Sequence, residues 1–361
     1  MITPSQLSAI NGEKNGFWTK SRFWLGAVSS LAFLWLVIRQ VSWPQVLASL
    51  QTTDWRLGLL GSLLMVVTWA FFAVRWQVLL APAVSIHWSD AFSYIMIGYL
   101  GNAVLPLRLG DVGRVMLLSR RYRINLGFAS ATVVMEKLLD VLTMVALMGF
   151  LMLVVPVPLL IRRGVQAATV TTVGAFVALT LLSRSQSALA RLESFLSVAL
   201  PKRVLATVLD ILYRFVQGLQ VTKSVGQMLS VALLSLLSWG VASLGLWCFV
   251  CAFKLGVPWS AAMLVLGTTN LGGAIPSSPG AIGVYEFLAM LALSVWMSER
   301  SVSAGFATVT HAANLALTVG LGLVVGWREG IRWSTITPQS WVGAADEEET
   351  LSSTPTQMGR G

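Results

Sequence analysis

Arginine guanidinium forks match the oxygens of phosphate in pairs. Carboxylates one helical turn apart share a helix face and can balance such cations or meet a cationic head group. Both arrangements occur in this chain. Arg108, Asp111 and Arg114 fall within Leu105–Arg114, which reads Leu-Pro-Leu-Arg-Leu-Gly-Asp-Val-Gly-Arg. Glu136, Lys137 and Asp140 lie in the first third of the apolar run Phe128–Val155. Glu286 opens a second apolar stretch, and His311 lies with Asn314 inside the run Ala304–Trp327. Asn102 and Asn270 precede the two stretches where the helical pattern fails. Charge at membrane depth is costly unless paired or wetted. Asn102, Arg108, Asp111, Arg114, Glu136, Asp140, Asn270, Glu286 and His311 are therefore the candidate substrate-binding residues. Their chemistry suits an anionic or amphiphilic substrate with a phosphate head group.

Each has a structural reading beside the functional one. Glu136 and Asp140 pair with Arg108 or Arg114 to hold helices together, or line a polar cavity; the two are compatible. Arg75, after the run Leu57–Val74, is either a snorkelling interfacial residue or a phosphate ligand. Glu286 caps or pairs locally, or faces the same cavity as Arg108. His311 is an interhelical hydrogen bonder or a protonation site.

The elements that must position these residues are broken. Pro106, Gly110 and Gly113 disfavour a continuous helix. Pro276, Pro279, Gly280 and Gly283 do the same about 170 residues later, counted along the sequence. Both stretches fit Pro-x-x-x-Gly-x-x-Gly, aligning Pro106 with Pro276, Gly110 with Gly280 and Gly113 with Gly283. The expected fold is all-α: a polytopic membrane helix bundle with two broken or re-entrant segments, with an inverted repeat as one possible origin of the pair.

Composition agrees. The chain has 361 residues, 56% hydrophobic and 11% charged, which fits a polytopic membrane protein rather than a soluble domain. The net charge is +10; the acidic cluster Asp346–Glu349 contributes −4, leaving +14 on the rest. Such basicity marks loops beside anionic lipid, and no soluble basic domain exists to bind nucleic acid. Apolar runs are expected to span at Phe23–Ile38, Leu57–Val74, Phe128–Val155, Ala167–Leu182, Met228–Phe253 and Ala304–Trp327. Ala91–Leu105, about 15 residues, is short for a span and suits a broken helix ahead of an arginine-rich loop, Arg108–Arg123. Ser260–Ile275 leads into the second break and Ile282–Met297 leaves it.

The expected organisation is a cytoplasmic segment 1–22, a transmembrane domain 23–333 and a disordered acidic tail 334–361. Segment 184–223 reads as an amphipathic helix on the cytoplasmic interface or a small helical hairpin. Positive-inside counting puts the N-terminus in the cytoplasm and the chain in the cytoplasmic (inner) membrane, with Arg328 and Arg332 favouring a C-terminus on the same side. Gly322 and Gly326 form a small-xxx-small packing face.

Catalytic and cofactor signatures do not occur. The sequence holds no Ser/His/Asp arrangement, Walker loop or dinucleotide glycine fingerprint. Two well-separated His make a zinc site improbable, and Cys248-x-x-Cys251 inside an apolar helix reads as packing. No cofactor and no metal are expected, and the chain is not expected to be an enzyme.

Three blocks together carry a resemblance. They are Asn102-x-x-x-Pro106-x-Arg108-x-Gly110-Asp111-x-x-Arg114, then Glu136-Lys137-x-x-Asp140, then Pro279-Gly280-x-x-Gly283-x-x-Glu286. In this order and spacing the chain resembles the lysylphosphatidylglycerol synthase transmembrane, or flippase-like, family from about Phe23 to Trp327. Two positions depart from the family pattern: Asp111 stands where Glu is usual, and Glu136-Lys137 stands where a Glu-Arg pair is usual. Both keep charge but lose reach or the bidentate fork. The resemblance implies a helical bundle that moves lipids or lipid-linked molecules across a bilayer. It includes the flippase half of the bacterial multiple peptide resistance factor, hopanoid-associated proteins and archaeal proteins linked to dolichol-linked glycosylation. The chain ends soon after its last span, so the soluble domain that transfers lysine is not expected here.

The leading expectation is a lipid translocase for a phospholipid or polyprenyl-linked lipid, with membrane lipids as partners. A membrane-embedded transferase, or an accessory to lipid-linked sugar or aminoacyl-lipid metabolism, is the alternative. A scaffold for another membrane protein is a third.

Overall fold

The computed structural model describes residues 35, 43–105, 108–184, 190, 191, 193, 194, 197, 209, 225–273, 275 and 277–330. Expectations for the first apolar run, for most of segment 184–223, for both tails and for Pro106 and Pro276 lie outside the described residues. Within them the chain is all-α. In order come α1 (Trp43–Gln51), α2 (Trp55–Leu80), α3 (Trp88–Val104), α4 (Leu109–Tyr122) and α5 (Leu126–Val154). Then follow α6 (Leu159–Arg184), α7 (Val225–Ala252), α8 (Trp259–Gly272), a 3-10 turn (Pro279–Ala281), α9 (Val284–Leu293) and α10 (Arg300–Arg328).

Local chemistry sets the ends. Asp54 and Asn125 accept the Arg56 and Gly127 amides at 3.0 and 2.8 Å, so α2 and α5 start on side-chain N-caps. Pro156 and Pro158 separate α5 from α6, since proline cannot continue a helical hydrogen-bond ladder. Among the described residues, α2, α5, α7 and α10 are long and apolar enough to cross a bilayer. Their outward faces carry exposed Leu59, Leu63, Phe150, Leu153, Leu233 and Leu236, as lipid contact requires.

The bundle closes through glycine contacts. α2 and α7 share the most extensive helix–helix contact. A Cβ on Gly61 would sit 2.7 Å from the Gly245 carbonyl oxygen, so the two backbones meet there. α3 crosses α4 the same way, at Gly101 and Gly110. Gly322 packs on Leu100 of α3, as its small-residue face suggests. One apolar cluster gathers Trp69, Phe72, Trp76, Ile95, Leu118 and Met144; another gathers Met148, Phe249, Phe253, Leu264, Leu293 and Phe306.

Three differences from the sequence reading matter. The arginine-rich segment is a helix, α4, because Val115, Leu118 and Ser119 present one buried face that α3 and α5 cover. Gly110 and Gly113 therefore do not break the backbone. They lie inside α4, and the absent side chain of Gly110 admits α3. Arg75 does not snorkel: α2 continues to Leu80, leaving it inside the bundle. A short helix, α1, was not anticipated; it packs on α10. At the far end of α4, the Tyr122 hydroxyl donates to Asp90 of α3, and burial followed by that bond pushes its pKa up to about 12.

Candidate functional site

Two clusters of polar side chains meet the helix breaks. The first is a charge network built by α2, α4, α5 and α7. Arg114 and Glu136 are fully buried and joined at 3.1 Å through Nη2 and Oε1. Arg114 Nε also lies 3.4 Å from Asp111, one turn before it on α4. Arg75 donates to Asp140 at 2.6 Å and to the Ser235 hydroxyl at 2.9 Å, and lies 4.0 Å from Glu136. Trp239 of α7 donates its indole N–H to the same Asp140 oxygen at 3.1 Å. Lys137, a third exposed, closes the group at 3.7 Å from Asp111 and 3.9 Å from Glu136.

Three cations thus face three carboxylates, and each cation lies over an aromatic face. Arg75 sits 4.7 Å above the Phe72 ring, Arg114 5.1 Å above Trp76 and Lys137 5.7 Å above Tyr99. The balance removes the net charge that would make burial prohibitive. It does not exhaust the donors. Among the described residues, Nε and Nη2 of Arg75 and Nε and Nη1 of Arg114 are buried donors without a hydrogen-bond partner, and Oε2 of Glu136 is a buried acceptor without one. Buried guanidinium donors in that state can receive further oxygen acceptors.

The breaks lie beside this network. α3 ends at Val104, and Arg108 enters α4 in the left-handed region at φ 55°. That conformation turns its guanidinium toward the other break, where Nη2 donates to the Gly273 carbonyl at 2.8 Å, just past the end of α8. A cation there satisfies an end carbonyl and complements the α8 dipole. Asn102 reaches back across the first break and accepts the Asp111 amide at 3.3 Å, capping α4 where Arg108 supplies no side-chain cap. In the second break, Gly280 and Gly283 adopt φ of 72° and 87°, which side chains rarely tolerate. Gly280 packs against Leu315 and the Ala103 carbonyl, so this turn touches the end of α3.

The second cluster holds Glu286. One of its carboxylate oxygens accepts the Gly283 amide at 2.7 Å, and the other lies 2.7 Å from His311 Nδ1. Tyr285 stacks on the imidazole with ring centroids 4.3 Å apart.

The sequence candidates therefore divide. Arg114, Asp111, Glu136 and Asp140 share the buried network, with Arg75 as the partner that holds Asp140. Arg108, Asn102 and the Pro279–Gly283 turn join the two breaks. Glu286 and His311 pair with each other rather than with an arginine. Asn270 does not join them; its side chain is exposed and donates to Leu266 in its own helix. Ser235 and Trp239 were missed, although their four-residue spacing puts them on one face of α7. The glycine alignment of the two stretches does not extend to backbone conformation, since Gly110 and Gly113 are helical while Gly280 and Gly283 are not.

Comparison with known proteins supplies the family. The profile described as Lysylphosphatidylglycerol synthase TM region matches residues 23–322. The chain is also similar to Glycosyltransferase AglD of Haloferax volcanii, 25% identical over 329 residues. That match covers 81% of this chain and 50% of the relative, so the chain spans about half the length of the protein it matches. No solved structure matches it. The four long apolar helices and the extent of the profile match make this a multi-pass membrane protein, and the chain belongs to the Lysylphosphatidylglycerol synthase TM region family.

Proposed function

We propose that the chain is a lipid translocase, without enzymatic activity of its own, that moves a phosphate-headed lipid across the cytoplasmic membrane. One observation carries the reading: Arg108 bridges the two breaks on the exposed side of a buried, charge-balanced network with free guanidinium donors. A phosphate that reaches the breaks can replace the Gly273 carbonyl as the Arg108 acceptor. It can then draw on Lys137 and on the unpartnered donors of Arg114 and Arg75 as helices shift. The carboxylates hold those arginines in place when no anion is present, and the acyl or prenyl tails stay in lipid. Broken helices at a membrane-protein site support this use. The charge bias of the loops supports a cytoplasmic N-terminus.

A second reading, a membrane-embedded transferase or an accessory to one, draws on the printed name of the Haloferax relative. One experiment separates the two. The full chain is reconstituted with a panel of anionic, aminoacylated and prenyl-phosphate lipids, with and without nucleotide sugars. Lipid crossing without any new lipid product supports translocation, and Arg108→Ala should slow it. Product formation dependent on a sugar donor, with no crossing, would replace it with the transferase.

A further inference from the structure

We propose that Glu286 and His311 form the proton-binding site that couples proton movement to lipid movement at the breaks. The inference rests on the translocase reading above and adds the coupling ion and its location.

The pair joins separate elements through one carboxylate. One oxygen of Glu286 holds the Gly283 amide, the last residue of the turn, while the other holds His311 on α10. Both side chains are buried. The turn held this way is tight: Gly283 and Gly280 sit at positive φ, and Gly280 contacts Leu315 of α10 and the Ala103 carbonyl of α3. A change in how Glu286 holds Gly283 therefore reaches the end of α3, where the first break begins. Around the pair, Tyr285 of α9 stacks on the imidazole, and its hydroxyl donates to Thr310 of α10 at 3.4 Å. Arg108 is tied to Gly273, at the end of the helix that leads into this turn.

Charge supplies the coupling. With a neutral imidazole the pair carries one negative charge; with one more proton on Nε2 it becomes an imidazolium–carboxylate pair with none. An uncompensated buried charge is costly, and imidazole is the side chain that ordinarily changes charge between pH 5 and 8. Elsewhere in the bundle Glu136 and Asp140 are each held by an arginine, which does not release its proton. A phosphate at Arg108 adds negative charge at the end of the helix that leads into the turn Glu286 holds. Proton binding at Glu286–His311 removes the repulsion, so proton and phosphate favour each other's binding. By linkage each raises the other's affinity by the same factor.

Two measurements on the full chain test this. The first is hydrogen–deuterium exchange of the peptide spanning 278–287 between about pH 5 and 8, corrected for intrinsic exchange. Protection at the Gly283 amide should change severalfold in the wild type. It should be flat in Glu286→Gln, which keeps an acceptor for that amide, and in His311→Gln. A flat wild-type profile overturns the proposal. The second imposes a one-unit pH gradient on vesicles containing the protein and phosphatidylglycerol with fluorescent tracer. One proton per lipid gives a roughly tenfold leaflet asymmetry, equivalent to about 1.36 kcal/mol. Glu286→Gln and His311→Gln should lose the asymmetry. Wild-type crossing that ignores the gradient refutes the coupling. If exchange titrates but no lipid crosses in any vesicle, the proton site stands and the translocase reading falls.

Discussion

Replacing Glu136 by Leu tests whether the buried charges act as one unit. Glu136 is fully buried, accepts from Arg114 at 3.1 Å, and lies 4.0 Å from Arg75 and 3.9 Å from Lys137. Its loss leaves three cations against two carboxylates. Arg75 keeps Asp140 at 2.6 Å, so the burden falls on Arg114, whose remaining partner is Asp111 at 3.4 Å. Removing one partner of a buried pair costs about 3–5 kcal/mol, and the Asp111 contact puts Glu136→Leu at about 3 kcal/mol. In a chain of this size each kcal/mol lowers Tm by roughly 2 °C, so a drop of about 6 °C is expected. Arg114→Met should cost a similar amount, because it strands Glu136. The double variant Arg114→Met/Glu136→Leu removes both charges and restores balance. It should be more stable than either single variant, with a coupling energy of ~2 kcal/mol or more. The assay is reversible unfolding in detergent followed by tryptophan emission, since Trp76 lies 5.1 Å beneath Arg114. A double variant that loses the sum of the two single effects would refute a coupled network.

Three further outcomes follow from the geometry. Gly110→Ala places a methyl against the Gly98 carbonyl and 2.8 Å from the Gly101 carbonyl carbon, so α3 and α4 must separate. Its cost should be about 3 kcal/mol, while Gly149→Ala, with open space around it, should be neutral or stabilising by up to ~1 kcal/mol; thermal melts of both check this. Tyr122→Phe removes the bond to Asp90 that ties α4 to α3, and should cost about 1–2 kcal/mol by the same melts. Arg108→Ala should leave stability nearly unchanged, because the side chain is exposed, yet slow crossing of phosphate-headed lipid by roughly tenfold; the initial rate in vesicles measures it.

The apolar runs Leu57–Val74, Phe128–Val155, Met228–Phe253 and Ala304–Trp327 were legible because lipid imposes long uninterrupted hydrophobic stretches. Their ends shifted by a few residues where a cap such as Asp54 or Asn125 decided the boundary. The arginine-rich segment misled for the same reason that hydropathy works elsewhere. α4 buries its arginine against Glu136 rather than in lipid, so its helix leaves little apolar signal. Arg75 was ambiguous because the partner that holds it, Asp140, lies 65 positions away. Charge alone pointed to Glu136 and Asp140 pairing with Arg108 or Arg114; the fold pairs Glu136 with Arg114 and Asp140 with Arg75. In the second stretch the spaced glycines Gly280 and Gly283 adopt positive φ. The same spacing at Gly110 and Gly113 served helix approach instead, and sequence alone does not distinguish the two uses.

The central claim is that phosphate-headed lipid crosses the bilayer through this chain. Its most direct measurement is dithionite reduction of head-group-labelled phosphatidylglycerol in sealed vesicles containing the wild-type protein. The account expects fluorescence to fall past the outer-leaflet plateau of protein-free vesicles, toward complete loss, as inner-leaflet lipid arrives outside. A trace that stops at the protein-free plateau, with dithionite shown not to enter, would contradict it.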